Sequence, residues 1–235
     1  MKSKIFKNNK SIAIIQARMS SKRLPGKILL PIEQVPIILL AIKRASNTGR
    51  KVIVATSKDA SDDKLVRILR KNKILYSRGS LKNVLSRFAD IVKDFDKDKL
   101  IFRLTADNVF PDGSLLDEME KFFLQKKINY LTSGSKKSGL PYGVSVELTK
   151  VKFILEANKK SKSVLEREHV TPYISKKLRV HIFKKYKKLN MFNYSCSIDT
   201  LSDYKIVKKI FHGLGNKATK ILFQKLLPKL KKSSN

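Results

Sequence analysis

The sequence predicts an α/β protein with a mostly parallel central sheet and helices on both of its faces. Three observations carry this. Short runs rich in Ile and Val alternate with segments whose apolar residues recur every three or four positions. The order strand, helix, strand, helix is that of parallel sheets covered on both sides. The length, 235 residues, suits one core, with room for a small extra lobe.

The first strand is read at SIAIIQA, 11–17, the next at KVIVATS, 51–57, and a third at KLIFRLTAD, 99–107. Between them lie helices. Asp62 to Lys73 aligns Leu65, Ile68 and Leu69 on one face. A second helix carries Leu81, Val84, Leu85, Phe88, Ile91, Val92 and Phe95. Asp112 to Lys126 repeats the spacing with Leu115, Leu116, Met119, Phe122 and Phe123. Arg78, Gly79 and Ser80 fall at a further strand end. Beyond residue 128 the pattern loosens. INYLTSG (128–134) and PYGVSVEL (141–148) read as strands, VKFILEANKK (151–160) as a short helix, RVHIFKKY (179–186) and NMFNYSCSID (190–199) as later strands. Two helices, Leu201–Leu214 and Lys217–Leu227, close the chain.

The formal net charge is +33, from 52 Lys+Arg against 19 Asp+Glu, a field that attracts nucleotides, nucleic acid or acidic membrane surfaces. Lysines are spread along the whole chain, so charge alone does not select among them. A single cysteine, Cys196, excludes an internal disulfide and a multi-cysteine metal site; it reads as a small core residue. No run approaches the roughly 18 apolar residues of a membrane span. The basic start MKSKIFKNNK lacks the apolar core of a signal peptide, and a cytoplasmic location is expected.

The stretch IIQARMSSKRLPGK, Ile14 to Lys27, leads from the first strand into a loop with four basic residues. Ligands of parallel sheets bind beyond the carboxyl ends of strands, where backbone N–H groups suit phosphate. Arg18 and Arg23 can each grip phosphate with two parallel hydrogen bonds, and Lys27 is a compact point charge. Pro25-Gly26 supplies a turn. Ser20 and Ser21 add hydroxyl donors. Neither G-x-x-x-x-G-K-[ST] nor G-x-G-x-x-G occurs.

This loop resembles the signature of the sugar-acid cytidylyltransferases, in particular the group named after the spore coat polysaccharide protein SpsF. The CMP-Kdo and CMP-acylneuraminate synthetases share its fold type. The resemblance continues in order through VIVATSKDASDD, YSRGSLKNVLSRF, RLTADNVFPD, PYGVSVEL, REHVTPYI and SIDTLSDY, covering about residues 11 to 211. It implies a three-layer Rossmann-like fold of the nucleotide-diphospho-sugar transferase type. It implies one nucleotidyltransferase domain, with a nucleotide-binding half (10–128), an acceptor-binding and dimerisation half (129–200) and C-terminal helices with a basic tail (201–235).

The activity implied is transfer of CMP from CTP to a sugar acid or related acceptor, with pyrophosphate released, in surface polysaccharide or glycan biosynthesis. Arg18 and Lys27 are the implied catalytic cations. Ala17, Arg18, Met19, Ser20, Arg23, Lys27, Arg78, Gly79, Ser80 and Thr105 are the implied nucleotide contacts. Mg²⁺ is the implied cofactor, held by Asp107 and Asp199 at two strand ends; helix capping is the structural alternative for each. Gly143, Glu147, Arg167 and His169 are the implied acceptor contacts, and a homodimer is the implied assembly. The chain departs from the group at Ser145, where Gly-x-Asp-Val-Glu is common, and at SSKR, where Gly-Ser-Thr-Arg is common. Ser20 in place of glycine requires ordinary backbone angles there. Two alternatives stand beside this reading. One is a transferase of the same fold using another nucleotide or a phosphonate acceptor. The other is a non-catalytic nucleic-acid binder driven by charge, which no aromatic-interleaved basic strand or nucleic-acid motif supports.

Overall fold

A computed structural model describes residues 11–233; the basic segment 1–10 and residues 234–235 lie outside them. A seven-stranded sheet runs in the order β5-β4-β1-β6-β8-β7-β9. Its strands are β1 (Ser11–Gln16), β4 (Val52–Ser57), β5 (Leu75–Gly79), β6 (Leu100–Thr105), β7 (Tyr130–Thr132), β8 (Glu147–Lys150) and β9 (His181–Ile182). Only β8 runs against its neighbours. A separate hairpin joins β2 (Pro31–Ile32) to β3 (Val35–Pro36).

Strand geometry sends successive side chains to opposite faces, and every second residue of the central strands joins a different core. Ala13, Ile15, Val54, Phe102 and Leu104 pack in one cluster. They meet α1 (Ile37–Ala45), α2 (Asp63–Lys71), α4 (Gly113–Gln125), α8 (Leu201–Phe211) and α9 (Phe223–Ser233). Ile12, Ile14, Ile53 and Ile101 pack in the other. Their partners are α3 (Val84–Val92), α5 (Val151–Lys160) and residues beside α6 (Val164–His169) and in α7 (Pro172–Lys177). The result is the three-layer architecture expected. No helix among the described residues is long and apolar enough to cross a membrane.

The three central strands and helices α2, α3, α4 and α5 lie where the sequence puts them, with ends trimmed by a few residues. Four differences stand out. Helix α1 escapes a periodicity reading because nearly all its positions are buried, leaving no polar face. Within 141–148 only the last residues pair as β8. Gly143 has φ 99°, which turns the chain, and Tyr142 makes only an isolated bridge to Ser195. The segment 190–199 is for the same reason an extended connection, not a strand, so Asp199 ends a loop. At the chain end, helix α8 stops at Phe211 and α9 starts at Phe223, with a 3₁₀ turn over Gly215–Thr219 between them.

Arg44 of α1 ties the C-terminal segment to this core. Its guanidinium is fully buried and donates to the carbonyls of Ala218 and Ile221 at 2.8 Å and of Phe110 at 2.9 Å. Buried Asp112 lies 3.7 Å from it and accepts the backbone N–H of Phe223 at 2.6 Å. Burial brings the Arg44 pKa down to about 10 and pushes the Asp112 carboxyl up.

Candidate active site

The carboxyl ends of β1 and β6 open into a cleft of about 380 Å³, the size range of small-ligand sites. The loop after β1 forms one wall. Gly26, at φ 70°, closes it by donating to the Met19 carbonyl at 3.0 Å and starts the 3₁₀ turn Lys27–Leu29. This is the left-handed conformation for which glycine is suited. Ser20 has no positive φ, so serine fits where the related group has glycine.

The loop is held from below by Asp62, a fully buried carboxylate. One oxygen accepts the Met19 N–H at 2.7 Å. The other accepts from Thr56 Oγ1 and the Ser57 N–H, both at 3.1 Å, and from Ser57 Oγ. Sequence reading saw Asp62 only as a helix start; no local signal marks its contact with Met19.

Lys27 stands at the centre of the cleft. Its ammonium, nearly buried, donates to Asp107 Oδ2 at 2.8 Å, to the Ile198 carbonyl at 2.7 Å and to Asp199 Oδ1 at 3.0 Å. Arg23 adds a second cation to Asp199 at 2.9 Å. Backbone pairing delivers the acids. Ile198 N–H donates to the Asp107 carbonyl at 3.1 Å, and Cys196 N–H to the Tyr142 carbonyl at 2.8 Å. A Cβ on Gly143 would sit 2.5 Å from Ser197 N, so only glycine allows that approach. Neither acid caps a helix. Thr200 caps α8 and Asp112 caps α4, which leaves both carboxylates to the cleft.

Lys27 therefore spends all three N–H donors on protein acceptors. A phosphate contact from Lys27 requires exchange of one of them. Arg18 and Arg23 carry more open guanidinium groups, with side chains 40% and 65% exposed.

Among the described residues no three His, Cys, Asp or Glu side chains gather as a metal site. The donor set nevertheless fits Mg²⁺. Two carboxylate oxygens lie within 3.0 Å of one cationic nitrogen, and Mg²⁺ commonly takes one or two carboxylates with phosphate and water completing its shell.

Of the residues named from sequence, Ala17, Arg18, Arg23, Lys27, Thr105, Asp107, His169 and Asp199 line this cleft. Glu168 joins them, bonded to Arg18 at 3.1 Å. Glu168 and His169 precede a γ-turn at Val170. There φ is 70° and ψ −52°, and Thr171 N–H donates to the His169 carbonyl at 2.8 Å. Val170 is fully buried, so packing fixes the turn.

Other named residues lie elsewhere. Met19 and Ser20 belong to the loop but do not line the cleft. Arg78 turns away to the Ser57 and Asp59 carbonyls and Asp63, clamping the loop after β4. Gly79 packs under Arg87, and Ser80 Oγ accepts from Asn83 N–H, just before α3. Glu147 is committed to Arg103 at 2.6 Å, Thr171 Oγ1 at 2.6 Å and the Tyr130 hydroxyl. Burial and this carboxylate push the Tyr130 pKa up. Arg167 is exposed outside the cleft. Gly143 shapes the backbone behind it. A larger groove along β9, about 770 Å³, gathers Lys121, Lys137, Arg179 and Lys184 without a carboxylate pair.

A basic loop and two clustered acids at the switch-point edge of a parallel sheet suit chemistry on a phosphorylated nucleotide. The family model described as cytidylyltransferase matches residues 12–226. The chain belongs to the cytidylyltransferase family. An uncharacterised protein of Methanocaldococcus jannaschii is 31% identical over 202 residues, 84% of this chain and 81% of that one. The spore coat polysaccharide biosynthesis protein SpsF of Bacillus subtilis is 29% identical over 219 residues, 89% of each chain. A solved cytidylyltransferase from Leptospira borgpetersenii superposes with a TM-score of 0.83 at 29% identity, covering 96% of this chain and 95% of that one.

Proposed function

We propose that this cytidylyltransferase transfers CMP from CTP to a hydroxyl of a sugar acid, for surface polysaccharide or glycan assembly, with Mg²⁺ as cofactor. The acceptor oxygen bonds to the α-phosphorus, and the bond from that phosphorus to the oxygen bridging to the β-phosphate breaks. Pyrophosphate leaves, and the hydroxyl proton passes to solvent.

The observation that carries the reading is the convergence of Arg18, Arg23 and Lys27 with Asp107 and Asp199 on one cleft. Such transfer needs little covalent help from the protein; alignment and charge neutralisation do most of it. Arg18 and Arg23 grip the triphosphate from the loop. Asp107 and Asp199 would hold Mg²⁺, which when bound neutralises phosphate charge and helps align attacker and leaving group. Lys27 keeps the two acids together and adds a fixed positive charge beside the α-phosphate. Glu168 and His169, at the cleft rim, face the acceptor side. The sugar-acid class is supported by the likeness to SpsF and to the sugar-acid cytidylyltransferases.

A pyrophosphate-release screen tests this. CTP, UTP, ATP and GTP are each paired with a panel of sugar acids in the presence of Mg²⁺. Release with CTP and at least one sugar acid is the expected result. Equal release with all four nucleotides, or none with any acid, would overturn it.

A further inference from the structure

The groove along β9 is separate from the cleft, and the two share no lining residue. One wall is helix α4, whose Glu118, Lys121, Phe122 and Gln125 recur at spacings of three and four and so face one way. The other wall is the segment from Arg179 to Lys185 that carries β9. Phe122 and Phe183 meet edge to face at 5.6 Å and give the groove an apolar floor, which Val180 and Ile182 extend.

Two features of this groove have no use inside the molecule. The first is charge. Its one acid, Glu118, is taken by Lys185 at 2.8 Å and by the Tyr186 hydroxyl. Lys121, Lys137, Arg179 and Lys184 are exposed and have no carboxylate partner among the described residues. The second is backbone. β9 is the last strand of the sheet and pairs with β7 alone. Phe183 N–H donates to the Thr132 carbonyl at 2.9 Å, toward β7. A trans peptide aims its C=O opposite to its N–H, so the Ile182 carbonyl points out from the sheet, with the Ile182 N–H on the same side. An open edge of this kind accepts a further strand.

The charges say what that strand carries. A second copy of this chain would bring the same cations against these, and edge lysines act against such pairing. An acidic segment is attracted instead. Nucleic acid gains much of its affinity for such grooves by stacking bases on open ring faces. Here Phe183 is buried and Phe122 packs against it by an edge. We infer that the groove binds an extended acidic peptide segment of a partner protein, which adds to β9 as a further strand. Alternate side chains of an added strand face opposite ways. Apolar ones settle on the Phe122–Phe183 floor, and carboxylates between them meet the surrounding cations.

The test is fluorescence anisotropy at about 0.15 M salt. The probe is a labelled, end-blocked peptide of about eight residues that alternates Val and Glu. The wild type should bind it, and exchange of the Ile182 N–H with solvent should slow on binding. Lys121→Glu and Lys184→Glu should each weaken binding about fivefold or more. Lys43→Glu, an exposed lysine on α1, should change it less than about twofold. The same peptide with an N-methylated backbone keeps its charge but has no N–H donors, and should bind about tenfold more weakly. Equal affinity for the N-methylated peptide, or for a glutamate-only peptide, would show that charge alone binds and would overturn strand addition. No binding by the wild type, or an equal loss in Lys43→Glu, overturns the groove itself. Single-stranded DNA or phosphatidylserine vesicles that lose more affinity than the peptide in the two groove variants would assign the groove to them instead. None of these outcomes bears on CTP, whose cleft lies elsewhere.

Discussion

Replacing Asp62 with asparagine tests whether the loop after β1 is held by one buried carboxylate. Two backbone donors, Met19 N–H and Ser57 N–H, point at opposite oxygens of this side chain. Both donors are obligate. Asparagine has one oxygen, so one of the two N–H groups must face an NH₂. The hydroxyls of Thr56 and Ser57 can rotate to accept, which limits the damage to that single clash. An unsatisfied buried donor costs about 1–3 kcal/mol, and loss of charge assistance in the remaining bonds adds about 1 kcal/mol. A net loss of about 2–4 kcal/mol follows, equivalent for a domain of this size to a fall of roughly 5–15 °C in melting temperature. Thermal unfolding followed by circular dichroism reads it directly. Asp59→Asn is the control. Asp59 bonds only the N–H and hydroxyl of nearby Ser61, at the surface, and its loss should leave the melting temperature close to that of the wild type. If Asp62→Asn melts with Asp59→Asn, the loop is not anchored through this acid.

Asp107→Asn and Asp199→Asn should each lower turnover roughly 100-fold or more with the circular dichroism spectrum unchanged; wild-type turnover in either removes it from the metal role. Lys27→Ala should lose at least about 100-fold in kcat, whereas Lys187→Ala, in an exposed basic run, should lose almost nothing; equal losses would mean that diffuse charge drives the reaction. Glu166 accepts from Lys176 and from the N–H groups of Ser163 and Lys162, which hold its pKa below the ordinary 4.5. Its folded-state pKa is depressed, so it contributes stability above 4.5 that is lost as pH falls through the lower folded value. Glu166→Gln should flatten that part of the acid melting profile, and an unchanged profile would count against it.

The sheet was legible where burial leaves a mark on composition. Ile12 to Ile15 and Val52 to Val54 are apolar on consecutive residues because helices cover both faces. The same rule hid α1, whose polar face is missing. Asp107 and Asp199 were legible as a pair only through the blocks that resemble a family, since residues so far apart carry no local sign of meeting. Arg78 and Glu147 look like site residues in a sequence because they stand in those blocks, yet the partners of Arg78 are loop carbonyls and Asp63, and Glu147 is held in a half-buried ion pair with Arg103. Arg87 shows the reverse. Nothing in the helix read around Val84 to Phe95 marks it, and only the fold buries it and brings it to the cleft lining. Asp62 was hidden because its main role is played across 43 residues, to the amide of Met19.

Arg44 links the chain's beginning to its end in time as well as in space. Its carbonyl acceptors at Ala218 and Ile221 are translated 174 and 177 residues after it. A growing polypeptide that has not yet emerged through Phe223 carries a guanidinium with no home in a nearly finished core. Completion of this core is thus coupled to the final helix. A chain cut short before residue 218 should fail to settle even though every cleft residue is present.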